Sequence, residues 1–369
     1  MRKVLVVQLH RLGDVLQSTP ALQALRISQP EDSISVLARS CFAEPLRGHP
    51  CVDELIEWDA DAVIAASCNE DVPLSAQHAQ IMDFAGRLQQ ARFDIAINLS
   101  NDMLSSMLVF LSGARETRGL TFRPDGGIAM PDAWTRQLFL VPTNRALNTI
   151  NICDAFRGLA GAAHVPAAMS LPVSQADRDA ARKILAGAED APLLVAMQPG
   201  ASSASKRWPA ERFAALANAL TRRHGARIVI VGSASEAPLA QRLAALMDTP
   251  PVIATGRTSL RQLAALVERC DLLVSNDTAT IHVAAAVATR PSSSPSATPT
   301  AARPPPMARA TTSSSRPPPA SPASTTAPAP RSTASTTSPP TPSSPRARSP
   351  WAASASPRSR APSPWPRNT

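Results

Sequence analysis

The sequence predicts an α/β protein built of two Rossmann-like halves that face a cleft, and two observations carry this prediction. Short apolar runs alternate with longer amphipathic segments throughout residues 1–290, which is typical of parallel sheets covered by helices on both faces. Gly, Ala and Pro interrupt this pattern at residues 161–174, where the boundary between the halves is expected. Because open α/β sheets bind ligands at the carboxyl ends of their strands, the cleft is the expected site.

The individual elements follow in order from these runs. Segments rich in Val, Ile and Leu predict strands at residues 4–9, 33–38, 54–58, 94–99, 193–198, 227–232, 251–254 and 271–275. Apolar residues spaced three and four apart predict helices at residues 19–28, 75–91, 102–112, 148–161, 209–223, 237–247, 259–268 and 278–288. We therefore expect a first domain over residues 1–165, a second domain over residues 166–290 and a tail over residues 291–369.

The tail has a composition that cannot form a core. Residues 291–369 contain 21 Pro, 19 Ser, 15 Ala, 11 Thr and 9 Arg, and no Val, Ile, Leu, Phe, Asp, Glu or Lys. Such a segment cannot bury enough apolar surface to offset its conformational entropy, so disorder is expected. Its nine arginines account for the whole net charge of +9, because residues 1–290 hold 28 basic and 28 acidic residues. The positive charge therefore says little about binding partners.

The abrupt change of composition at residue 290 falls within the second domain and suggests a frameshift. If each codon began on the last base of the codon before it, residues 291–297 would decode to three Val or Leu, a Pro or Ala, another apolar residue and a Gly. That is close to a buried strand followed by a glycine loop. We therefore expect an incomplete second domain with exposed apolar edges and poor solubility. The alternative is a genuine basic tail that binds RNA, DNA or acidic lipid.

The cysteines and the N-terminus indicate the compartment. Five cysteines without a C-x-x-C pair argue against a disulfide framework or a zinc site and favour a reducing environment. The first apolar run, residues 4–7, is followed by polar Gln8, His10 and Arg11 and is too short for a signal peptide. No run approaches the roughly 18 apolar residues of a membrane span. We therefore expect a cytoplasmic protein.

The first candidate site residue is Asp14, in the segment Leu12-Gly13-Asp14 that follows the first strand. A carboxylate there can take a proton from an attacking hydroxyl in the cleft, or it can stabilise a helix N-terminus through the helix dipole. The loop contains one Gly and therefore lacks the dinucleotide fingerprint, and no G-x-x-x-x-G-K-[ST] loop occurs in the chain. Both absences weaken the oxidoreductase and P-loop interpretations.

Two further segments suit a nucleotide. Ser202, Ser203 and Lys206 lie in a loop of small residues after strand 193–198, where N–H groups, hydroxyls and a cation can bind phosphate. The alternative is a solvated loop with a surface lysine. Glu236, just past strand 227–232, suits a ribose hydroxyl and equally suits the first turn of a helix.

The densest polar segment follows strand 271–275. Asn276 or Asp277 is expected to cap the next helix, whose N-terminus offers free N–H groups and a positive dipole to a diphosphate. Thr278 lies beside them. His282 follows about one turn into the helix and either faces the same site or is structural. No other His has the spacing of a metal partner, so no tightly held metal is expected.

Four sets of residues thus occur in order, each after a predicted strand: Gly13-Asp14 with Pro20-Ala21-Leu22, Pro199-Gly200-Ala201 with Lys206-Arg207-Trp208-Pro209, Glu236, and Asp277-Thr278 with His282-Val283-Ala284-Ala285-Ala286. This combination resembles glycosyltransferase family 9, the family of the ADP-heptose:lipopolysaccharide heptosyltransferases. The resemblance covers about residues 1–290. It implies a GT-B fold, in which the first domain binds the lipopolysaccharide acceptor and the second binds the nucleotide sugar.

The resemblance also implies a chemistry. Asp14 would be the catalytic base of a direct displacement that inverts the anomeric carbon of the heptose in ADP-heptose. The donor-binding residues that it implies are Ser202, Ser203, Lys206, Glu236, Asp277, Thr278 and His282. Lys206 and the helix N-terminus would stabilise the departing ADP, so no metal or other cofactor is required. The acceptor would be the lipopolysaccharide core at the inner face of the cytoplasmic membrane, and we expect a monomer that binds no nucleic acid.

The sequence departs from the family pattern in two places. Ala279 stands where the family commonly has Gly, and its methyl group would impair a close backbone approach or a positive φ at this position. After residue 290 the family continues with an apolar strand, a glycine loop and further helices, which the tail lacks, so the chain as written is expected to be inactive or impaired. Two alternatives remain open: a family member that uses another nucleotide sugar, and a non-catalytic protein that binds nucleotide or nucleic acid.

Overall fold

Two five-stranded parallel sheets organise the chain. The computed structural model describes residues 1–67, 73–100, 102–140, 150–288 and 309–312. The strands of this part are β1 Lys3–Gln8, β2 Ser33–Arg39, β3 Glu54–Trp58, β4 Ile95–Asn98, β5 Glu116–Arg118, β6 Thr121–Phe122, β7 Ile128–Ala129, β8 Leu193–Gln198, β9 Ala226–Ile230, β10 Val252–Ile253, β11 Leu272–Ser275 and β12 Arg309–Thr312. The helices are α1 Leu12–Ser28, α2 Ala60–Ser67, α3 Leu74–Gln90, α4 Met103–Leu111, α5 Ala133–Leu140, α6 Ile152–Leu159, α7 Gln175–Leu185, α8 Ala210–His224, α9 Ala237–Ala245, α10 Leu260–Arg269 and α11 Ala279–Ala288.

The two sheets share one topology. The first has the strand order β3-β2-β1-β4-β5 and the second the order β10-β9-β8-β11-β12, with every pairing parallel. In each sheet the chain moves outward from a central strand and then crosses to the other side of it. A crevice therefore opens at the carboxyl ends of β1 and β4, and another at those of β8 and β11. β6 and β7 form a separate antiparallel pair.

Side chains that alternate along the central strands bury both faces of each sheet. Val4 and Val6 of β1 pack with α1 and α6, whereas Leu5 and Val7 pack with α3 and α4. In the second sheet, Leu194 and Ala196 of β8 pack with α7 and α10, whereas Val195 and Met197 pack with α8 and α9. The near-continuous apolar strands thus form doubly covered parallel sheets, as the sequence predicts.

The helix α1 differs from its prediction because it begins at Leu12 rather than near residue 19. Gly13 and Pro20 read as loop and helix-start signals, but both lie within the helix. Pro20 has no N–H to donate to the carbonyl of Leu16, and the hydroxyl of Thr19 donates to that carbonyl instead, at 2.7 Å. The helix therefore tolerates the proline, and Asp14 lies in its first turn.

Other bounds agree with the predicted elements to within a few residues, and several elements were not predicted. The helix expected at residues 148–161 is described as α6, and residues 148 and 149 lie outside the described part of the chain. The unpredicted elements are α2, α5, α7, β5, β6 and β7. They are short or, in α7, strongly polar, so their apolar pattern is weak.

The structure also differs from the expected tail at four residues. The backbone of Arg309–Thr312 forms β12, which pairs in parallel with β11. This segment contains no aliphatic side chain larger than Ala, but strand pairing uses only backbone N–H and C=O groups, and the edge of β11 offers them unpaired. The rest of residues 291–369 lies outside the described residues.

An apolar cluster joins the two halves of the described chain. Its members come from α1, the segment before α7, α10 and α11: Leu16, Leu171, Ala264, Val283 and Ala286. The side chain of Arg261 in α10 adds polar contacts to the carbonyl groups of Glu44 and Arg47 in the first half. Together these contacts hold the N-terminus of α1 against that of α11.

Candidate functional site

A cavity of about 560 Å³ lies where α1 meets α11, and residues of both halves line it. The first half contributes Arg11, Leu12, Gly13, Asp14, Gln17 and Phe42, and the second contributes Ser202, Lys206, Asp277, Thr278, Ala279 and His282. Six of the eight predicted site residues therefore share one cavity. Arg11, Gln17 and Phe42 were not predicted. Arg11 and Phe42 each lie three residues after the end of a strand, β1 and β2, and this position is the sequence signal that could have identified them.

Asp14 is the third residue of α1 and lies half-buried at the cavity wall. Both interpretations of Asp14 are compatible with this position. Its carboxylate is in the first turn, where its negative charge interacts favourably with the positive end of the helix dipole. Asp14 also lines the cavity. The backbone N–H groups of Asp14 and Val15 donate to the carbonyl of Arg11, so the turn that carries the carboxylate is fixed by α1 itself.

His282 of α11 lies directly over Gly13. A Cβ atom at Gly13 would stand 2.8 Å from Cδ2 of His282, so only glycine permits this approach. Burial lowers the pKa of His282, although the carboxylates of Asp14 and Asp277 act in the opposite direction. The imidazole is therefore neutral near pH 7, so one of its ring nitrogens can donate a hydrogen bond to a ligand and the other can accept one.

The loop that carries Lys206 is fixed to the end of β11. Lys206 belongs to a short 3-10 turn, Ala204–Lys206, and its Nζ lies 3.5 Å from Oδ2 of Asp277. The buried side chain of Asn276 donates to the carbonyls of Pro199 and Gly200 and accepts from the N–H of Trp208. The amide of Asn276 thus attaches the loop to the end of the sheet. The sequence suggested instead that Asn276 or Asp277 caps the next helix.

Ser202 and Ser203 have different surroundings. Ser202 lines the large cavity and a neighbouring one of about 370 Å³. Ser203 is absent from both linings, and its hydroxyl pairs with that of Ser205 at 2.9 Å. The structure therefore brings Ser202 to the predicted phosphate site and leaves Ser203 in the outer part of the loop.

Glu236 lines the neighbouring cavity, which Gln198, Ser233 and Ser259 also line. One carboxylate oxygen accepts from the N–H and hydroxyl of Ser233 at 2.7 and 2.9 Å, so Glu236 completes a capping box as the structural interpretation requires. The other oxygen, Oε1, accepts only a 3.4 Å contact from Gln198 within the described residues. A Cβ at Gly200 would overlap Oε1, so that glycine permits Glu236 to reach the cavity. The acid therefore caps a helix and still presents an oxygen to a ligand.

Ala279 has ordinary backbone geometry at the junction of the two cavities. Among described residues other than glycine, only Arg92 has a positive φ, so Ala279 does not need the conformation that glycine favours. Ala279 nevertheless lines both cavities, together with Ser202 and Thr278. The two cavities are therefore neighbours that meet at these three residues.

The described part of the chain offers neither a cluster of metal ligands nor a membrane-spanning helix. Among these residues, no group of three or more His, Cys, Asp or Glu side chains is arranged to hold a metal ion. Across the same ranges, none of the helices has both the length and the apolar character needed to cross a bilayer.

Comparison with known proteins relates this arrangement to one family. The sequence model of glycosyltransferase family 9 (heptosyltransferase) matches residues 81–322. Lipopolysaccharide heptosyltransferase 3 of Escherichia coli is 24% identical over 280 residues, which cover 75% of this chain and 78% of the relative. Lipopolysaccharide heptosyltransferase 1 of Pseudomonas aeruginosa is 27% identical over 287 residues, with coverage of 77% and 76%.

Solved structures agree with this relationship. A crystal structure of a family 9 glycosyl transferase from Veillonella parvula superposes with a TM-score of 0.62 at 25% identity, over 78% of each chain. The structure of the E. coli ADP-heptose lipopolysaccharide heptosyltransferase II superposes with a TM-score of 0.56 at 21% identity, over 78% of this chain and 82% of that one. These similarities confirm the predicted fold class, an α/β protein of the GT-B type.

Proposed function

The chain belongs to glycosyltransferase family 9 and is a glycosyltransferase of the heptosyltransferase type, and from this premise we propose that it transfers heptose from ADP-heptose to the lipopolysaccharide inner core with inversion. The curated relatives carry the name of lipopolysaccharide heptosyltransferases, and a solved relative is described as an ADP-heptose enzyme. We further propose that the reaction takes place at the inner face of the cytoplasmic membrane, where such an acceptor is made.

One observation carries the proposal. Asp14 of the first half shares a cavity with Lys206, Asp277 and His282 of the second half. A base and a set of groups suited to a diphosphate therefore face each other across a space large enough for a sugar. A displacement at the anomeric carbon needs this placement, because the attacking hydroxyl and the leaving phosphate lie on opposite sides of the sugar.

The second half supplies the leaving-group side. The N-terminus of α11 offers the backbone N–H groups of a first helical turn and the positive end of the helix dipole, and Lys206 lines the same cavity. Lys206 pairs with Asp277 across 3.5 Å, and both side chains are at least half exposed. Such a pair is worth at most about 1 kcal/mol, so a diphosphate can displace Asp277 from Lys206 at little cost. The cation and the helix N-terminus would then stabilise the charge that develops on ADP.

The first half supplies the acceptor side. Asp14 would accept the proton of the acceptor hydroxyl as that oxygen attacks the anomeric carbon, and the bond from this carbon to the ADP oxygen would break in the same step. A positioned general base contributes about 10²- to 10⁴-fold to a rate. The neutral imidazole of His282, held over Gly13, would bind a donor oxygen next to Asp14.

The nucleoside would occupy the neighbouring cavity. Oε1 of Glu236 would accept a hydrogen bond from a ribose hydroxyl there, because Oε2 is already used by Ser233. Gln198 donates to Glu236 and holds the carboxylate in place. Ser202, Thr278 and Ala279 would contact the diphosphate, since they line both cavities.

A donor panel tests the proposal. The full chain is incubated with O-deacylated lipopolysaccharide from a heptose-deficient strain and with ADP-heptose, ADP-glucose or UDP-glucose, and both the released nucleotide and the extended glycan are measured. Transfer from ADP-heptose alone supports the proposal. Preferential transfer from another donor would identify a family member with a different sugar. The absence of transfer from every donor, both in this chain and in one re-encoded in the neighbouring frame after residue 290, would contradict the proposal.

We also propose that the chain as written is impaired because its second half is incomplete. The support is the loss of all large aliphatic residues after residue 290, at the point where β8 to β11 are complete and only the edge strand β12 follows within the described residues. A frameshift at this point explains the composition. The DNA read in the neighbouring frame should encode an apolar strand, a glycine loop and helices, and a neighbouring frame without them would contradict this explanation.

A further inference from the structure

The structure pairs His10 with Asp102, two residues that the sequence analysis did not connect. Nε2 of His10 lies 3.1 Å from Oδ2 of Asp102, and each side chain is 37% exposed. His10 follows β1 and Asp102 follows β4, so the pair bridges the crevice of the first sheet. Open α/β sheets bind their ligands at this topological switch point. The corresponding position of the second sheet, between β8 and β11, carries the donor site.

Further hydrogen bonds within the first half fix the positions of both His10 and Asp102. The N–H of Ser105 donates to Asp102 at 2.8 Å, because Asp102 is the N-cap of α4. The N–H of His10 donates to the side-chain oxygen of Gln8 at 3.1 Å, and the hydroxyl of Ser100 donates to the same oxygen at 3.2 Å. Gln8 and Ser100 are fully buried. A half-exposed pair on a buried polar base is preorganised, which a solvated surface pair is not.

The electrostatics of the pair favour a protonated His10 beside an ionised Asp102 and leave Nδ1 of His10 as a free hydrogen-bond donor among the described residues. The hydrogen bond to Asp102 raises the pKa of His10, and burial opposes it; the charge of Asp14 adds to the increase and that of Arg39 reduces it. Burial alone would raise the pKa of Asp102, but the hydrogen bonds from His10 and Ser105 lower it. The raised pKa favours the imidazolium, in which Nε2 donates to Asp102 and Nδ1 also carries a proton. Nδ1 has no partner within the described ranges, and the side chain is partly exposed.

We propose that His10 binds the acceptor sugar by donating from Nδ1 to an acceptor oxygen near the hydroxyl that Asp14 deprotonates, and that Asp102 positions His10 for this contact. This inference rests on the proposed function, since Asp14 must be the base for the acceptor to lie beside it. His10 is four residues before Asp14 and within reach of its charge. The first-sheet crevice is thus the acceptor site, as the second-sheet crevice is the donor site.

Two substitutions of His10 separate the ring nitrogens. His10→Asn keeps an N–H donor near the position of Nδ1, whereas His10→Gln keeps one near the position of Nε2, which contacts Asp102. Binding of O-deacylated lipopolysaccharide from a heptose-deficient strain is measured by calorimetry on the full chain, with ADP binding as the control. We expect His10→Gln to weaken acceptor binding about 10-fold and His10→Asn to change it by less than about 3-fold, with ADP binding unchanged. Equal losses in both variants, or none in His10→Gln, would overturn the proposal.

Asp102→Asn tests the positioning role, because Asn is as good an N-cap as Asp and α4 keeps its start. The unsubstituted chain should lose acceptor affinity as the pH rises through the raised pKa of His10, since Nδ1 then loses its proton. In Asp102→Asn the same loss should begin at lower pH, because the anion that retains the proton is gone. A pH profile that does not move would contradict the role of Asp102.

The two proposals can fail separately. The binding pattern of His10→Asn and His10→Gln decides the acceptor contact whether or not sugar is transferred. An unsubstituted chain that binds ADP but not the acceptor probe would overturn the role of His10 and leave the donor site intact. Tight acceptor binding together with no transfer from any donor would contradict the proposed function alone.

Discussion

Gly13→Ala tests whether the approach of α1 to α11 is as close as the structure shows. The added Cβ would lie 2.8 Å from Cδ2 and 3.2 Å from Nε2 of His282. Carbon atoms in good contact are about 3.5–4.0 Å apart, so the imidazole must move by roughly 1 Å. Overpacking of this kind costs about 1–3 kcal/mol, whereas replacing Gly by Ala inside a helix returns up to about 1 kcal/mol. We expect the free energy of unfolding to fall by about 1 kcal/mol, with Tm lower by roughly 2–4 °C.

The effect on catalysis should exceed the effect on stability. A displacement of about 1 Å in a group that positions substrate can cost about 10²-fold in rate. Urea unfolding followed by circular dichroism gives the free energy, and transfer from ADP-heptose gives the rate. The matched control is Gly86→Ala in α3, where no heavy atom lies within 4 Å of the added Cβ. That variant should be slightly stabilised and fully active.

A second variant isolates the clash. In the double variant Gly13→Ala with His282→Ala, the obstructing ring is gone and the helix gain of Ala remains, so the free energy of unfolding should exceed that of Gly13→Ala alone. The reasoning would be refuted if Gly13→Ala matched Gly86→Ala in both stability and rate, because α1 and α11 would then lie farther apart than described.

Three further predictions follow from other parts of the chain. Burial lowers the pKa of His49 from its ordinary value near 6.5 to about 4, so stability should fall by roughly 3 kcal/mol as the pH drops from 7 to 4, and urea titrations of His49→Gln should show a smaller fall. Ala279→Gly removes the methyl group at the junction of the two cavities and should lower the KM for the nucleotide sugar by up to about tenfold in steady-state assays, whereas an unchanged KM would show that the methyl does not touch the donor. A chain re-encoded in the neighbouring frame after residue 290 should be more soluble and melt more cooperatively in calorimetry than the chain as written, and an equally insoluble product would count against the frameshift.

The pattern of strands and helices could be predicted because most elements bury one clear apolar face. The start of α1 could not, since Gly13 and Pro20 are strong local breakers. Gly13 is tolerated for a tertiary reason, and Pro20 is tolerated through a side-chain hydrogen bond within the helix. The close contact with His282 requires Gly13, and the hydroxyl of Thr19 satisfies the carbonyl that Pro20 leaves free. The first effect depends on a residue more than 260 positions away, which local rules cannot describe, whereas the second is a contact between residues three positions apart.

Part of the candidate site was predictable from the positions of its residues after predicted strands. Asp14 and Lys206 each follow a strand, and the carboxyl ends of parallel strands face the cleft, so their position after a strand indicates their location. Ser203 fails this rule because the inner geometry of its loop turns the hydroxyl toward Ser205. The pair of His10 and Asp102 could not be read from the sequence, since only the strand order places β1 beside β4.

The rate of sugar transfer in Asp14→Asn tests the central claim most directly. Asn keeps the shape of the side chain and the start of α1 but cannot accept the proton of the acceptor hydroxyl. With saturating ADP-heptose and O-deacylated lipopolysaccharide, the rate should fall by about 10²- to 10⁴-fold while the affinity for ADP stays the same. A rate within a few-fold of the unsubstituted chain would show that the cavity between α1 and α11 does not use Asp14 as its base.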